Sequence, residues 1–208
     1  MSVTIILIVL TVGISIYAWS NESLMQKWIF HPYSVAQNYQ YYRFVTSGFL
    51  HADWAHLLFN MFSFYMFAQV VEQIFIQITN PQIGILLFVL IYIGGIIVSD
   101  IYTFIKERKN RNYFSLGASG GVSAIIFSSI LLNPLTEIGI LLIPVGIPGF
   151  IFGFLYLMYS YFQAKRMGDN VNHDAHFYGA VYGFLLTMLI VPGALGSFFS
   201  QIQNYRMF

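Results

Sequence analysis

Residues 83–105 read IGILLFVLIYIGGIIVSDIYTFI, and this stretch decides the class of fold. A helix that crosses a membrane needs about 20 consecutive, mostly apolar residues. The stretch reaches that length with Asp100 as its one charged residue. Backbone groups in hydrocarbon must satisfy their hydrogen bonds within the chain, which a helix does for itself. The stretch therefore predicts a transmembrane α-helix.

The composition of the whole chain supports a lipid environment. Of its 208 residues, 58% are hydrophobic and only 8% are Asp, Glu, Lys or Arg, whereas soluble domains carry about 25% charged residues. The net charge of +1 gives no reason to expect nucleic acid as a partner. The absence of cysteine excludes disulfides, thiolate zinc sites and a cysteine nucleophile.

Five further apolar segments flank this stretch. No basic region or small-residue cleavage site marks the first as a signal peptide, so we interpret it as a retained span. We predict an all-α polytopic membrane protein: one compact bundle of six helices, forming a single domain over residues 1–208. The predicted spans lie near 3–19, 54–76, 83–105, 115–132, 138–162 and 174–195.

Basic residues fall mainly on one side of this predicted topology, in the odd-numbered connections between spans. The positive-inside rule places these connections in the cytoplasm and both termini outside. Only Arg206 lies on the opposite side. The basic residues of the odd-numbered connections are Lys27, Arg43, Lys106, Arg108, Lys109, Arg111, Lys165 and Arg166.

The first polar cluster is Gly117-Ala118-Ser119-Gly120-Gly121, at the start of the fourth span. Small neighbours let another backbone or a substrate approach the serine closely. Free N–H groups at a helix N-terminus can bind a developing negative charge. Helix packing is the alternative interpretation, because small residues commonly line helix interfaces in membranes.

The second cluster opens the sixth span, where His176 stands beside a ridge of small residues. Ala175, Gly179 and Gly183 follow one another at intervals of four and therefore share a helix face. We expect this ridge to let the fourth and sixth helices approach closely, which would bring Ser119 and His176 within hydrogen-bond reach. The alternative is a histidine that binds interfacial water.

The third cluster, His51, His56 and Asn60, leads into the second span. His56 and Asn60 lie four residues apart on one helix face, and with the N–H of Ser119 they could form an oxyanion hole. Metal binding is an alternative, which we disfavour because the chain has no His-Glu-x-x-His sequence and Asn60 is a poor zinc ligand. The candidate ligands would be His51, His56, His173, Asp174 and His176.

The order, spacing and span placement of these three clusters resemble the rhomboid family of intramembrane serine proteases. Tyr42-Arg43 is similar to the family's aromatic-Arg pair in the first connection. The resemblance implies that Ser119 is the nucleophile and His176 the base, without a third carboxylate, so Asp174 is not a triad member. It further implies an oxyanion hole of His56, Asn60 and the Ser119 amide. The supporting residues would be His51, Arg43, Gly117, Gly120, Gly179 and Gly183.

The resemblance also implies partners and a location. The substrates would be transmembrane segments of other proteins, cleaved in contact with membrane lipid and without a cofactor or metal. The fifth connection would cap the site and the fifth span would act as a lateral gate. The expected location is a bacterial cell membrane, with the N-terminus cytoplasmic, which opposes the orientation that the basic residues predict. No feature of the sequence indicates an oligomeric state.

One position departs from the family pattern. Four residues after the nucleophile the family often has an aromatic side chain that stacks on the histidine, and here Ser123 stands there. Phe127 lies a further turn along, which we expect to be too deep to replace it. This departure favours the alternative of a rhomboid-like protein that binds membrane segments without cleaving them.

A small transporter or channel is a second alternative. It would show charges in mid-span and an internal repeat, and the sequence shows no repeat. Glu72 and Asp100 fall near predicted span ends, where we expect them to reach water.

Overall fold

The structure, a computed structural model, describes residues 2–139, 146–166 and 171–205. It is a helical bundle with one small β-hairpin, as the sequence predicted for its class. The helices are α1 (Val3–Trp19), α2 (Glu22–Trp28), α3 (Pro32–Asn38), α4 (Arg43–Thr46), α5 (Trp54–Ile78), α6 (Pro81–Glu107), α7 (Ser119–Leu132), α8 (Gly149–Arg166), α9 (His173–Ile190) and α10 (Ala194–Gln203). A single 3₁₀ turn, Ser47–Phe49, follows α4.

Two of the described helices, α5 and α6, are long and apolar enough to cross a membrane by themselves. A third span results if α9 and α10 count as one bent span, because they meet at 108°. The predicted sixth span, 174–195, therefore ends early, at Ile190. Gly193 there adopts a left-handed conformation with φ 80° and starts α10, which the sequence analysis did not predict.

The prediction for the fifth span was wrong at its start. Residues 138, 139 and 146–148 are not helical: Glu137–Gly139 (β1) and Gly146–Pro148 (β2) pair as antiparallel strands, and residues 140–145 lie outside the described part. Helix α8 begins only at Gly149. Gly146 and Pro148 explain the difference, because glycine and proline both disfavour a helix interior.

Helix α7 lies at the centre of the bundle and is buried on every side from Gly120 to Leu131. It packs against α5, α6 and α9. On the α6 side, a Cβ added to Gly121 would lie 2.6 Å from the carbonyl oxygen of Tyr92. The predicted span 115–132 begins later than expected, because the helix starts only at Ser119. The residues before Ser119 form a loop.

Helices α7 and α9 run parallel and touch through their backbones, as the small-residue ridge predicted. A Cβ on Gly179 would clash with the Gly120 carbonyl, and a Cβ on Gly183 would clash with the Ala124 carbonyl. One turn further along, the Thr187 hydroxyl donates to Ser128 Oγ at 2.7 Å. Successive contacts between the two helices are therefore four residues apart on both.

The two acidic residues expected to reach water are instead buried. Glu72 is 4% exposed and accepts hydrogen bonds from the N–H groups of Val3 and Thr4 and from the Thr4 hydroxyl, at 2.6–3.0 Å. Its carboxylate thus satisfies the open N-terminus of α1, which explains how an acid is tolerated there. Asp100 is 8% exposed and lies beside the loop before α7.

The α7–α9 contact predicts a selective effect of alanine substitution. Gly183→Ala would force a methyl group against the Ala124 carbonyl and should lower the free energy of unfolding by about 3 kcal/mol, because backbone cannot move aside as a side chain can. Gly13→Ala is the matched control, since nothing lies within 4 Å of its Cβ. Alanine at Gly13 should stabilise α1 by about 0.5–1 kcal/mol. Reversible unfolding in mixed micelles measures the free energy of unfolding of both variants. Equal changes in the two would contradict the close approach of α7 and α9.

Candidate active site

The loop before Ser119 is held in place by the first connection of the chain. Phe30 and Ser115 exchange two backbone hydrogen bonds of 3.0 Å, and the Gly117 N–H donates to the Ser47 carbonyl at 3.0 Å. Gly117 has φ 124°, a backbone conformation that residues other than glycine rarely adopt. The chain can therefore turn sharply and start α7 at Ser119.

Ser119 is the first residue of α7 and is partly exposed. Ala118 precedes it without a side-chain cap, and its carbonyl accepts the first helical bond, from Val122 N–H at 2.9 Å. The N–H groups of the first helical turn have no acceptor within the helix. The serine hydroxyl therefore stands beside backbone donors that can stabilise an anion.

His176 lies in the first turn of α9, whose start is fixed to α6. The Asn172 side chain caps the helix by accepting from Ala175 N–H at 3.1 Å, and its amide donates to the Thr103 hydroxyl at 3.0 Å. Ser119 directly precedes Gly120, and His176 lies one turn before Gly179. Because Gly120 and Gly179 are in contact, Ser119 and His176 both lie within one turn of the same contact between α7 and α9.

His56 approaches the same loop from α5. A Cβ on Gly117 would lie 2.8 Å from His56 Nε2, so this nitrogen faces the loop that leads to Ser119. The Ala52 N–H donates to His56 Nδ1 at 3.4 Å, which makes Nδ1 an acceptor and leaves the proton on Nε2. One turn later, the buried Asn60 amide donates to the His56 carbonyl at 3.0 Å. Two side-chain donors thus lie on one face of α5, as predicted.

His51 supports His56 from behind. Their rings meet edge to face with centroids 4.9 Å apart. The Ser15 hydroxyl donates to the Phe49 carbonyl at 2.9 Å, so it accepts a hydrogen bond from His51 Nδ1 at 3.0 Å. Burial, aided by the neighbouring His56, lowers the pKa of His51 to about 3, so its ring is neutral at physiological pH.

Arg43 stabilises the first connection. Its buried guanidinium donates to the carbonyls of Gln26 and Ile29 at 2.9 and 2.6 Å and to the Gln40 side chain at 2.7 Å. Burial lowers the pKa of Arg43, but its hydrogen bonds compensate for the desolvation of the charge. It therefore ties together the segments that carry Phe30 and Ser47.

Asp174 forms a 2.9 Å salt bridge with Lys106 of α6. In the described part of the chain, no three acidic or histidine side chains converge in a way that could hold a metal ion.

The aromatic residue next to His176 was not anticipated. Tyr156, from α8, stacks on the His176 ring with centroids 6.2 Å apart and planes 23° apart. Its hydroxyl is hydrogen-bonded to Ser123 Oγ at 2.7 Å. The sequence pattern pointed only to residues of α7, Ser123 and Phe127, as sources of a stacking ring, and the ring comes from another helix.

A small polar cavity adjoins Ser119. Its volume of about 20 Å³ is enough for one water molecule. Its lining comes from α6, the loop before α7, the start of α7 and the start of α9. These residues are Ser99, Asp100, Ser115, Leu116, Gly117, Ser119, Gly120, Asn172 and Ala175. The arrangement can therefore keep water next to a hydroxyl within an otherwise apolar bundle.

The fold is that of a helical membrane protein, and the polar groups of its candidate site lie at the starts of α5, α7 and α9. Residues 38–193 match the model of the Rhomboid domain, which is three quarters of the chain. The chain belongs to the rhomboid family, and it is an integral membrane protein.

Similar proteins come from bacteria and from plant organelles. YdcA of Bacillus subtilis, named provisionally as a rhomboid protease, is 30% identical over 74% of this chain and 69% of its own. Rhomboid-like protein 11 of Arabidopsis thaliana, a chloroplast protein, is 27% identical over 89% of this chain and 64% of its own. The rhomboid protease GlpG of Photorhabdus laumondii is 26% identical over 88% and 60%. The chain thus spans 60% to 69% of the length of these relatives.

The lowered pKa of His51 predicts a pH-dependent stability. Between pH 3 and 6.5 the unfolded chain binds a proton at His51 that the folded chain does not, so folding loses stability as pH falls through this window. The wild type should lose up to about 1.4 kcal/mol per pH unit relative to His51→Gln, which does not titrate. Unfolding measured at pH 7, 6, 5 and 4 tests this. A constant difference between the two proteins would contradict a buried neutral His51.

Proposed function

We propose that the protein is a serine endopeptidase that cleaves transmembrane segments with Ser119 and His176 as a catalytic dyad. The observation that carries this proposal is the backbone contact of α7 with α9, because the serine and the histidine both lie within one turn of it. The family membership and the protease names of two bacterial relatives support it.

The chemistry follows from the position of each group. His176 would take the proton of the Ser119 hydroxyl as that oxygen attacks the substrate carbonyl, because a serine hydroxyl is a weak nucleophile without a base. The resulting oxyanion would accept hydrogen bonds from the Ser119 N–H, His56 Nε2 and Asn60. His176 would then protonate the leaving amine, and water would hydrolyse the acyl-enzyme on Ser119.

Transmembrane segments fit this site as substrates. Ser119 and His176 stand at the starts of α7 and α9, so a substrate reaches them near the end of the helices and from within the bilayer. A peptide bond inside a regular helix is shielded by its own turn, so the substrate must unwind locally before attack. Small or helix-breaking residues near the cleaved bond should therefore favour cleavage.

We also place the protein in a bacterial cell membrane. The relative that is 30% identical is bacterial, which supports this proposal, whereas the Arabidopsis relatives belong to the chloroplast and the mitochondrion. Membrane fractionation of the source cells tests the location.

The main alternative was a rhomboid-like protein that binds membrane segments without cleaving them. It rested on Ser123, the departure that left His176 without an aromatic neighbour from α7. Since Tyr156 supplies such a ring from α8, that feature no longer favours an inactive protein.

The nucleophile is tested by labelling and cleavage. In detergent, the wild type should react with a fluorophosphonate at Ser119 and cleave a model transmembrane substrate. Ser119→Ala should lose both reactions, and His176→Ala should slow both by about 10³-fold or more, because the hydroxyl then lacks its base. Gel fluorescence, peptide mapping and cleavage rates measure these effects.

The matched control is Ser129→Ala, a serine of the same helix. It lies ten residues beyond Ser119, about 15 Å along α7, and should leave labelling and cleavage unchanged. Labelling that persists in Ser119→Ala would overturn the proposed nucleophile. Cleavage should also continue in EDTA, and its loss would point to a metal enzyme.

The oxyanion hole gives an independent prediction. Asn60→Ala and His56→Ala should each lower kcat by about 10²–10³-fold, because each removes a donor that acts on the transition state. KM should change little. Steady-state kinetics on the model substrate separates the two parameters, and a change confined to KM would show that these residues bind substrate only.

A further inference from the structure

The ring that covers the imidazole of His176 belongs to a different helix from the nucleophile. Tyr156 stacks on His176 at 6.2 Å, and its hydroxyl bonds to Ser123 on α7 at 2.7 Å. Ser123 follows Ser119 by one turn and lies on the same face of α7. Three helices thus meet at the base: α7 through Ser123, α8 through Tyr156 and α9 through His176.

We propose that Tyr156 is a positioning residue for His176, held in register by its hydrogen bond to Ser123. The inference rests on the proposed function, because it assigns a role beside the same dyad. Tyr156 of α8 then holds the imidazole of the proposed base, so this ring has its productive orientation only while α8 is packed against α7.

The orientation of the imidazole matters for a dyad of this kind. An imidazole that turns about its side-chain bonds loses alignment with the serine hydroxyl, and a displacement of about 1 Å can cost about 100-fold in rate. A parallel ring on one face restricts this rotation.

Tyr156 is itself well fixed. The rings of Phe127 and Phe152 lie 5.7 and 5.9 Å from it and pack against it. The hydroxyl bond to Ser123 sets how far the ring reaches toward α9. The small side chain at position 123 supplies the partner of this hydroxyl. Ser123, where the family often has an aromatic residue, therefore acts together with the ring of Tyr156: the serine binds the hydroxyl and the ring stacks on His176.

The support comes from a loosely packed helix. Only Gly149, Gly153 and Ser160 are buried among the described residues of α8. Phe154 and Leu155 on its outer side are 63% and 52% exposed. In contrast, α7 is buried on all sides. A ring carried by α8 therefore moves with the most exposed of the helices around the dyad, and any displacement of α8 would also release the imidazole.

Substitutions of Tyr156 test the role directly. Tyr156→Leu removes the ring and should lower kcat and the rate of fluorophosphonate labelling at Ser119 by about tenfold or more, with KM nearly unchanged. Tyr156→Phe keeps the ring but loses the hydroxyl bond to Ser123, so it should lower both rates severalfold, less than Tyr156→Leu does. Labelling matters because it reports the reactivity of Ser119 without docking of a transmembrane substrate.

Phe154→Leu is the matched control, an aromatic residue on the outer side of α8. It should leave both rates within twofold of the wild type. If Tyr156→Leu fails to fold, Ser123→Ala replaces it, since this small change removes only the hydroxyl bond. It should lower kcat severalfold at constant KM. Its effect should not add to that of Tyr156→Phe, because both remove the same hydrogen bond.

The results separate this inference from the proposed function. A wild type that is neither labelled nor active would overturn the dyad itself. An active wild type with Tyr156→Leu rates equal to those of Phe154→Leu would overturn the positioning role alone. A rise in KM with unchanged kcat would also overturn it, because Tyr156 would then contact the substrate instead of the base.

Discussion

The backbone contact between α7 and α9 is the constraint on which the rest of the structure depends. Gly179 and Gly183 leave no side-chain atoms between the helix axes, so each faces a carbonyl of α7 directly. Membrane helices gain little from hydrophobic burial against each other, because lipid is equally apolar, and close van der Waals packing is what holds them together. The same contacts fix the register of α9 against α7.

The polar groups of the candidate site lie at the starts of three helices. Ser119 begins α7, His176 lies in the first turn of α9, and His56 lies in the first turn of α5. Polar side chains deep in the bilayer are costly, whereas helix ends lie closer to water and offer free N–H groups. The first connection, tied together by Arg43, holds the loop before α7 in position.

The sequence predicted the features that depend on local spacing. Glycines four residues apart predicted the α7–α9 contact, and the interval between His56 and Asn60 predicted their common face. Tyr156 could not be found this way, because its contact with His176 depends on the rotation of α8 and on its distance from α7. The hairpin before α8 was missed because the run was judged by hydrophobicity, although Gly146 and Pro148 interrupt it. Glu72 was misjudged because its partner, the start of α1, is remote in sequence.

A rigid junction between α7 and α9, the helices of the proposed nucleophile and base, limits where the protein can adapt. With carbonyl groups directly against glycines, α7 and α9 cannot slide or separate to admit a bulkier polypeptide. Accommodation of different sequences must come from the flanks, α5 and the lightly packed α8. Divergent members of the family would then retain one reactive centre and vary their preferences through the walls around it. Exchange of α8 between relatives is thus a route to altered selectivity.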